Sequence, residues 1–173
     1  MFALFRRTSP AVPLLHHAVV EASRRDSFFS KGQVPDTLDG RYEVLALHAM
    51  LLLRRLRSRN DRLAQELFDA IFAQLDLNFR EMGVGDLGVG KRVRAMAEGL
   101  YGRMGAYEAA LLTDEEMLHK ALCNNLFGTL PEAPSRSVTQ PFIDYIRRAV
   151  AHLDSLPLDA ITAGQVSFPD VDF

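Results

Sequence analysis

Apolar side chains recur along this chain almost everywhere with the period of a helix. Val12, Leu15, Ala18, Val19 and Ala22 form a short stripe behind Ser9-Pro10. That pair is a helix-start signal, because proline at the first helical position gives up an N–H that has no partner there. A loop is expected through Gly32, Pro35 and Gly40. Over residues 39–57, Tyr42, Leu45, Ala49, Leu52 and Leu56 share one face, and Val44, Leu47 and Leu51 widen it. A helix apolar over most of its circumference belongs in the centre of a fold. This one ends in RRLRSRN, cations at the negative end of the helix dipole.

Leu63, Leu67, Ile71, Leu75 and Phe79 follow at every fourth position, broadened by Phe68 and Phe72, with Glu66, Asp69 and Asp76 off the stripe. A glycine-rich turn over residues 83–90 interrupts the pattern. Val89, Val93, Met96, Ala97, Leu100 and Met104 then make the next apolar face, which directs Lys91, Arg92, Arg94, Glu98 and Arg103 outward. Thr113-Asp114-Glu115-Glu116 reads as a capping box opened by the Thr113 hydroxyl. Leu118, Ala121, Leu122 and Leu126 follow it, and Gly128 suits a left-handed cap. A Pro/Ser-rich linker is expected over residues 129–139. Phe142, Ile146, Ala149, Val150 and Leu153 mark a further helix that Pro157 ends. The expected fold is all-α, a single compact domain of six to seven helices. Residues 9–156 form its helical core, and 157–173 a short extended acidic tail that either docks on a basic face or stays mobile. The only strand candidate is a short piece near residues 166–168.

Composition narrows the function. The chain has 173 residues, 48% hydrophobic and 24% charged, with a formal net charge of −2. It carries no global basic field, so specific nucleic-acid binding is not expected. The single cysteine, Cys123, excludes an internal disulfide and a CxxC site. Arg6-Arg7 faintly echoes a targeting signal, but two prolines and His16-His17 interrupt the apolar stretch behind it. No apolar run approaches the ~20 residues that cross a bilayer. The expected location is cytoplasmic.

Several motifs resemble chemistry they do not carry. Gly83-Val84-Gly85-Asp86-Leu87-Gly88 spells GxGxxG, and Gly85 to Lys91 spells most of a P-loop. Both motifs need a strand before the loop, and a P-loop needs Ser or Thr where Arg92 stands. A structural turn without nucleotide is expected. Glu116 and His119 lie one helical turn apart, but the second Glu-x-x-His pair of a di-iron bundle is missing, so they read as a surface pair. His48, inside the most apolar helix, reads as a core histidine satisfied by a carbonyl or carboxylate. Cys123, lacking a basic or histidine neighbour in this reading, is expected to be a buried inert thiol. No acid, base, nucleophile or metal constellation points to an enzyme, and no cofactor is expected. Two surfaces remain. Arg54, Arg55, Arg57, Arg59 and Arg62, opposed by Asp61, form a basic patch suited to an anionic membrane or a ribosome. The segment 101–107 joins Tyr, Arg and Met with mid-helix glycines, which suggest close backbone packing or a break.

The run Leu77-Asn78-Phe79-Arg80-Glu81-Met82-Gly83-Val84-Gly85-Asp86-Leu87, then Val89-x-Lys91, then Leu100-Tyr101-Gly102-Arg103 to Tyr107, resembles the ubiquinol–cytochrome c chaperone family. The likeness is close over residues 75–112 and rests mainly on apolar spacing elsewhere. It implies an all-helical, non-catalytic assembly factor of the cytochrome bc1 complex that binds newly made cytochrome b. It also implies a bacterial member acting in the cytoplasm, with peripheral contact at the inner membrane. The positions carried over are Arg80, Gly83, Gly85, Asp86, Lys91, Tyr101, Gly102, Arg103 and Tyr107. Of these, Arg80, Asp86, Lys91, Tyr101, Arg103 and Tyr107 are the expected partner-binding residues. A helical module that binds haem, quinone or lipid is the alternative reading of the residues.

Overall fold

A computed structural model describes residues 8–173. Among them lie six long helices, α1 (Ala11–Ser23), α3 (Leu38–Arg57), α4 (Asp61–Glu81), α5 (Asp86–Leu112), α6 (Glu115–Asn124) and α7 (Arg136–Ser155). Two short ones, α2 (Ser27–Ser30) and α8 (Leu158–Thr162), complete the order. The described residues contain no strand, so residues 166–168 are not one.

Helix α3 is the axis of the bundle. It packs against α1, α4, α5 and α7, and its residues from Val44 to Leu53 are buried apart from the half-covered Leu45. Thr37 starts it by accepting from the Gly40 N–H at 3.1 Å, and Asn60 starts α4 by accepting from Leu63 at 3.1 Å. His48 makes both of its hydrogen bonds in the core. Its Nδ1 donates to the Val44 carbonyl at 2.8 Å, which leaves Nε2 to accept from the Tyr145 hydroxyl at 2.7 Å. This is the satisfied core histidine expected from its setting. Burial lowers its pKa to about 4, against the raising effect of the Val44 bond and with the Arg25 charge lowering it further.

Four local expectations change. The cap of α6 is Asp114, which accepts from Met117 N–H at 2.9 Å, while the Thr113 hydroxyl turns back to the Ala109 carbonyl at 2.7 Å. Asp is as good a cap as Thr and is one residue nearer the apolar run. Gly128 does not take the left-handed conformation. A side chain there is excluded instead by the Asn124 carbonyl, 2.4 Å from where a Cβ would stand. Helix α7 begins inside the expected linker and contains Pro141 as its sixth residue, which leaves the Ser137 carbonyl without its i→i−4 donor. The glycine turn ends at Gly85, and Gly88 and Gly90 are already helical.

Residues 163–173 are docked. Arg25 holds the Phe168 carbonyl at 2.9 Å as well as the Pro169 carbonyl, and Arg148 holds the Asp170 carbonyl at 3.1 Å. Phe168 lies edge-on to His48 at 5.0 Å, and Phe173 packs on Phe28 and Phe142 at 6.1 and 5.1 Å. The acidic segment thus meets two arginines, Phe168 joins the core, and Phe173 packs on its edge.

Candidate functional site

The motif over residues 77–87 folds into the α4–α5 corner. Gly83, at φ +83°, ends α4 in a left-handed step. The N–H of Val84 reaches back to the Phe79 carbonyl (3.1 Å), and that of Gly83 to Arg80 (3.0 Å). This is the Schellman closure that favours glycine. Gly85, at φ −63°, is extended and caps α5. Arg80 stitches the corner, donating to Asp76 at 2.5 Å and to Asp86. Its hydrogen bond to Asp76, more than the Asp86 charge, raises its pKa above the usual arginine value. Arg80 and Asp86 are therefore brought together at an exposed turn, beside the exposed side chains of Leu77 and Met82. The loop joins helix to helix, without the strand a phosphate-binding loop requires.

From this corner α5 runs unbroken for 27 residues. At 3.6 residues per turn, Lys91, Ala95, Glu98, Gly102, Ala106 and Ala109 fall on one side, with Gly105 beside them, and all are exposed. The glycines neither break the helix nor pack closely. Among the described residues, nothing beyond the helix's own adjoining backbone lies within 4 Å of a Cβ built on Gly102 or Gly105. Tyr101 borders this strip with its ring stacked on Phe68 at 4.8 Å and its outer part in solvent.

Arg103 and Tyr107 do not belong to the strip. Arg103 points about 100° away from Gly102 and makes a bidentate pair with Glu43, Nε to Oε2 at 2.8 Å and Nη2 to Oε1. Glu43 is only 9% exposed, and the guanidinium also lies over the Tyr42 ring at 5.6 Å. The outward Arg103 expected from spacing is thus a tie between α5 and α3. A long arginine side chain can bend back from the edge of an apolar stripe when a buried carboxylate needs a partner. The Tyr42 hydroxyl completes the tie by donating to the Met96 carbonyl at 2.8 Å, and burial pushes its pKa up to about 12. Tyr107, expected among the partner-binding residues, is buried at 2% exposure, and burial raises its pKa. Glu43 is a residue the spacing argument missed, while Tyr42, placed by spacing on the apolar face, also serves the tie through its hydroxyl. A lone glutamate inside a helix read as buried was the available signal.

The basic patch is partly spent inside the fold. Arg55 donates to the Leu153 and Leu156 carbonyls, both at 2.9 Å, satisfying the end of α7, and Arg54 pairs with Asp154 at 3.2 Å. Arg62 pairs with Glu66 at 2.8 Å. Arg57 and Arg59 remain as exposed cations among the described residues. The Glu116–His119 pair also separates. Glu116 faces Lys120 and Arg136 at 3.8 and 3.5 Å, while His119 Nδ1 meets the Thr139 hydroxyl at 2.7 Å. Cys123 is half-exposed rather than buried. His119, one turn earlier on α6, lies 3.7–3.8 Å from its sulfur, a neighbour the i, i+4 spacing already offered. Burial raises the thiol pKa, and the Glu116 charge raises it further, which disfavours the thiolate. Among the described residues no three His, Cys, Asp or Glu side chains converge as a metal site would need.

The ubiquinol-cytochrome C chaperone family model matches residues 30–168. The crystal structure of the Cbp3 homolog from Brucella abortus superposes with a TM-score of 0.81 at 37% identity, covering 95% of this chain and 93% of that one. Ubiquinol-cytochrome-c reductase complex assembly factor 1 of Xenopus laevis is 24% identical over 156 residues, 88% of this chain and 77% of that protein. The proteins of the same name from Mus musculus and Homo sapiens are each 23% identical, over 88% and 89% of this chain. The chain spans about half the length of those two relatives, 52% in each case. With a family match across most of its length and a shared fold across nearly all of it, the chain belongs to the ubiquinol-cytochrome c chaperone family.

Proposed function

We propose that this protein is a non-catalytic assembly factor of the cytochrome bc1 complex that binds newly made cytochrome b through the exposed strip of α5 and the α4–α5 corner. The observation that carries the reading is the bare backbone at Gly102 and Gly105. A mid-helix glycine costs about 1 kcal/mol relative to alanine, and no close packing among the described residues offsets that cost here. Glycines at an exposed helix face let another helix approach closely, as helices of membrane proteins do. Lys91, Tyr101, Arg80 and Asp86 frame the strip and supply polar and aromatic contacts. Arg103 and Tyr107 act from behind it by fixing α5 to the core.

Family membership supports the assembly role, and the names of the relatives specify the complex. Among the described residues no helix is long and apolar enough to cross a membrane. Contact with the cytoplasmic face of the inner membrane would be peripheral and weak. Arg57 and Arg59 each contribute about 1 kcal/mol to anionic lipid at most. The test is photo-crosslinking in cells from positions 91 and 105, with position 144 on α7, which packs against α3 and α6, as control. Cytochrome b should be captured from the first two only, and Gly105→Leu should lower assembled bc1 complex without lowering the melting temperature. Capture from position 144 alone, or normal assembly with folded Gly105→Leu, would remove the strip as the client surface.

A further inference from the structure

A cavity of about 360 Å³ opens between α1, α3, α4 and α5, on the side of α5 away from the exposed strip. Its volume falls in the range of small-molecule sites. Ile71 and Phe79 are buried in its wall, and Leu45, Leu75, Tyr42 and Met96 are half-buried there. The polar groups of the lining are engaged within the chain: the Tyr42 hydroxyl donates to the Met96 carbonyl at 2.8 Å, the Ser23 hydroxyl to the Val20 carbonyl at 2.8 Å, and the Gln74 amide to Asn78 at 2.9 Å. A ligand lying there must be alkyl or otherwise apolar where it touches these side chains.

Apart from Leu38, the exposed lining residues are polar or charged. Arg24, Arg41 and Arg92 stand at the opening with His16. Arg41 is held by Asp36 at 2.6 Å, and Arg92 lies over the Phe79 ring at 4.7 Å with Asp39 as far as 3.9 Å away. No described carboxylate pairs with Arg24, the end residue of α1. The mouth therefore carries three guanidiniums against Asp36 and Asp39. Burial lowers the pKa of His16, and the charges of His17 and Arg24 lower it further, as expected where positive charge is concentrated.

An apolar slot closed on polar chemistry inside and cationic at its mouth matches one ligand shape. We propose that this cavity binds a single-chain anionic amphiphile of the fatty-acid class, with its alkyl chain along Leu45, Ile71, Leu75 and Met96 and its carboxylate at Arg24 and Arg92. A guanidinium presents the paired donors that a carboxylate accepts. A bound chain would touch Tyr42 and Met96, the two residues whose hydrogen bond joins α3 to α5. The site goes beyond the assembly role and does not depend on it.

The test is calorimetric titration of the whole protein with dodecanoate below its micelle concentration, alongside dodecyltrimethylammonium and dodecyl maltoside. Dodecanoate should bind saturably, one molecule per chain, at least about tenfold more tightly than either of the others. Arg24→Glu changes an exposed side chain, so it should keep the melting temperature and weaken dodecanoate by about tenfold. Leu45→Trp, which fills the slot, should abolish binding. Because Leu45→Trp risks unfolding, Arg24→Glu decides the matter alone if it does. Absence of saturable heat, equal binding of all three amphiphiles, or unchanged dodecanoate affinity in folded Arg24→Glu would overturn the proposal. So would saturable heat from an acidic apolar peptide with none from dodecanoate, which would make the occupant a polypeptide.

Discussion

Replacing Arg103 with alanine tests whether this residue is a tie or a partner contact. The change removes both hydrogen bonds to Glu43 and leaves a carboxylate that is 9% exposed, beside the rings of Tyr42 and Tyr107. Breaking a fully buried pair from one side costs about 3–5 kcal/mol. The Arg103 side chain is 23% exposed, so water reaches part of the vacated space, and the expected cost drops to about 2–3 kcal/mol. For a domain of this size each kcal/mol moves the melting temperature by about 2–4 °C, which gives a fall of about 4–12 °C. Melting curves at neutral pH would be measured for the wild type, Arg103→Ala, Glu43→Gln and the double variant. The two single losses should exceed the double loss by about 1–3 kcal/mol, since the double variant leaves no charge stranded. Lys91→Glu on the exposed strip should stay within about 0.5 kcal/mol of the wild type. An Arg103→Ala protein melting within about 1 °C of the wild type, or strict additivity, would refute the tie.

Other perturbations follow the same physics. With His48 held near a pKa of about 4 against 6.5 when unfolded, the unfolded chain takes up the proton first as pH falls, so stability should decline between pH 6.5 and 4 by about 3 kcal/mol. His48→Gln should flatten that part of a urea-midpoint profile, and an unchanged slope would deny the buried neutral imidazole. Gly83→Val, at φ +83°, should cost about 1–2 kcal/mol or more, whereas Gly85→Ser, at φ −63° and capping α5, should be neutral or stabilising in the same melts; the reverse order would misplace the strain. Phe168→Ala should cost about 3 kcal/mol in urea unfolding, and a loss below about 1 kcal/mol would mean that the 163–173 segment is not part of the core.

The spacing of apolar residues made the helical architecture legible because burial drives it and a helix repeats on a fixed period. The stripe from Leu63 to Phe79 and the all-round apolar α3 lie where that spacing put them. What stayed hidden depends on pairs far apart in sequence. Nothing near Arg103 announces Glu43, sixty positions away, and nothing near Arg55 announces the open carbonyls of α7. Residues 154–173 showed their acidity but not their destination, which Arg25 and Arg148 supply. The candidate surface was legible as a motif but not as a face. Periodicity distinguishes Lys91 from Met96, but only the folded chain shows that Gly102 is bare and Tyr107 is covered.

The docked segment also orders events during synthesis. His48 and Phe28 lie in a stretch that leaves the ribosome early, yet the rings that enclose them, Tyr145, Phe168 and Phe173, are made roughly a hundred or more residues later. A chain emerging from its N-terminal side first must carry α1 to α3 as an open half-core for most of its translation. The contacts of Tyr145, Phe168 and Phe173 with that half-core close over long loops, and contacts of such separation form slowly. The exposed strip of α5 is translated before its supporting core can close. The core around His48 and Phe28 is consequently complete only once residues 168–173 have cleared the exit tunnel.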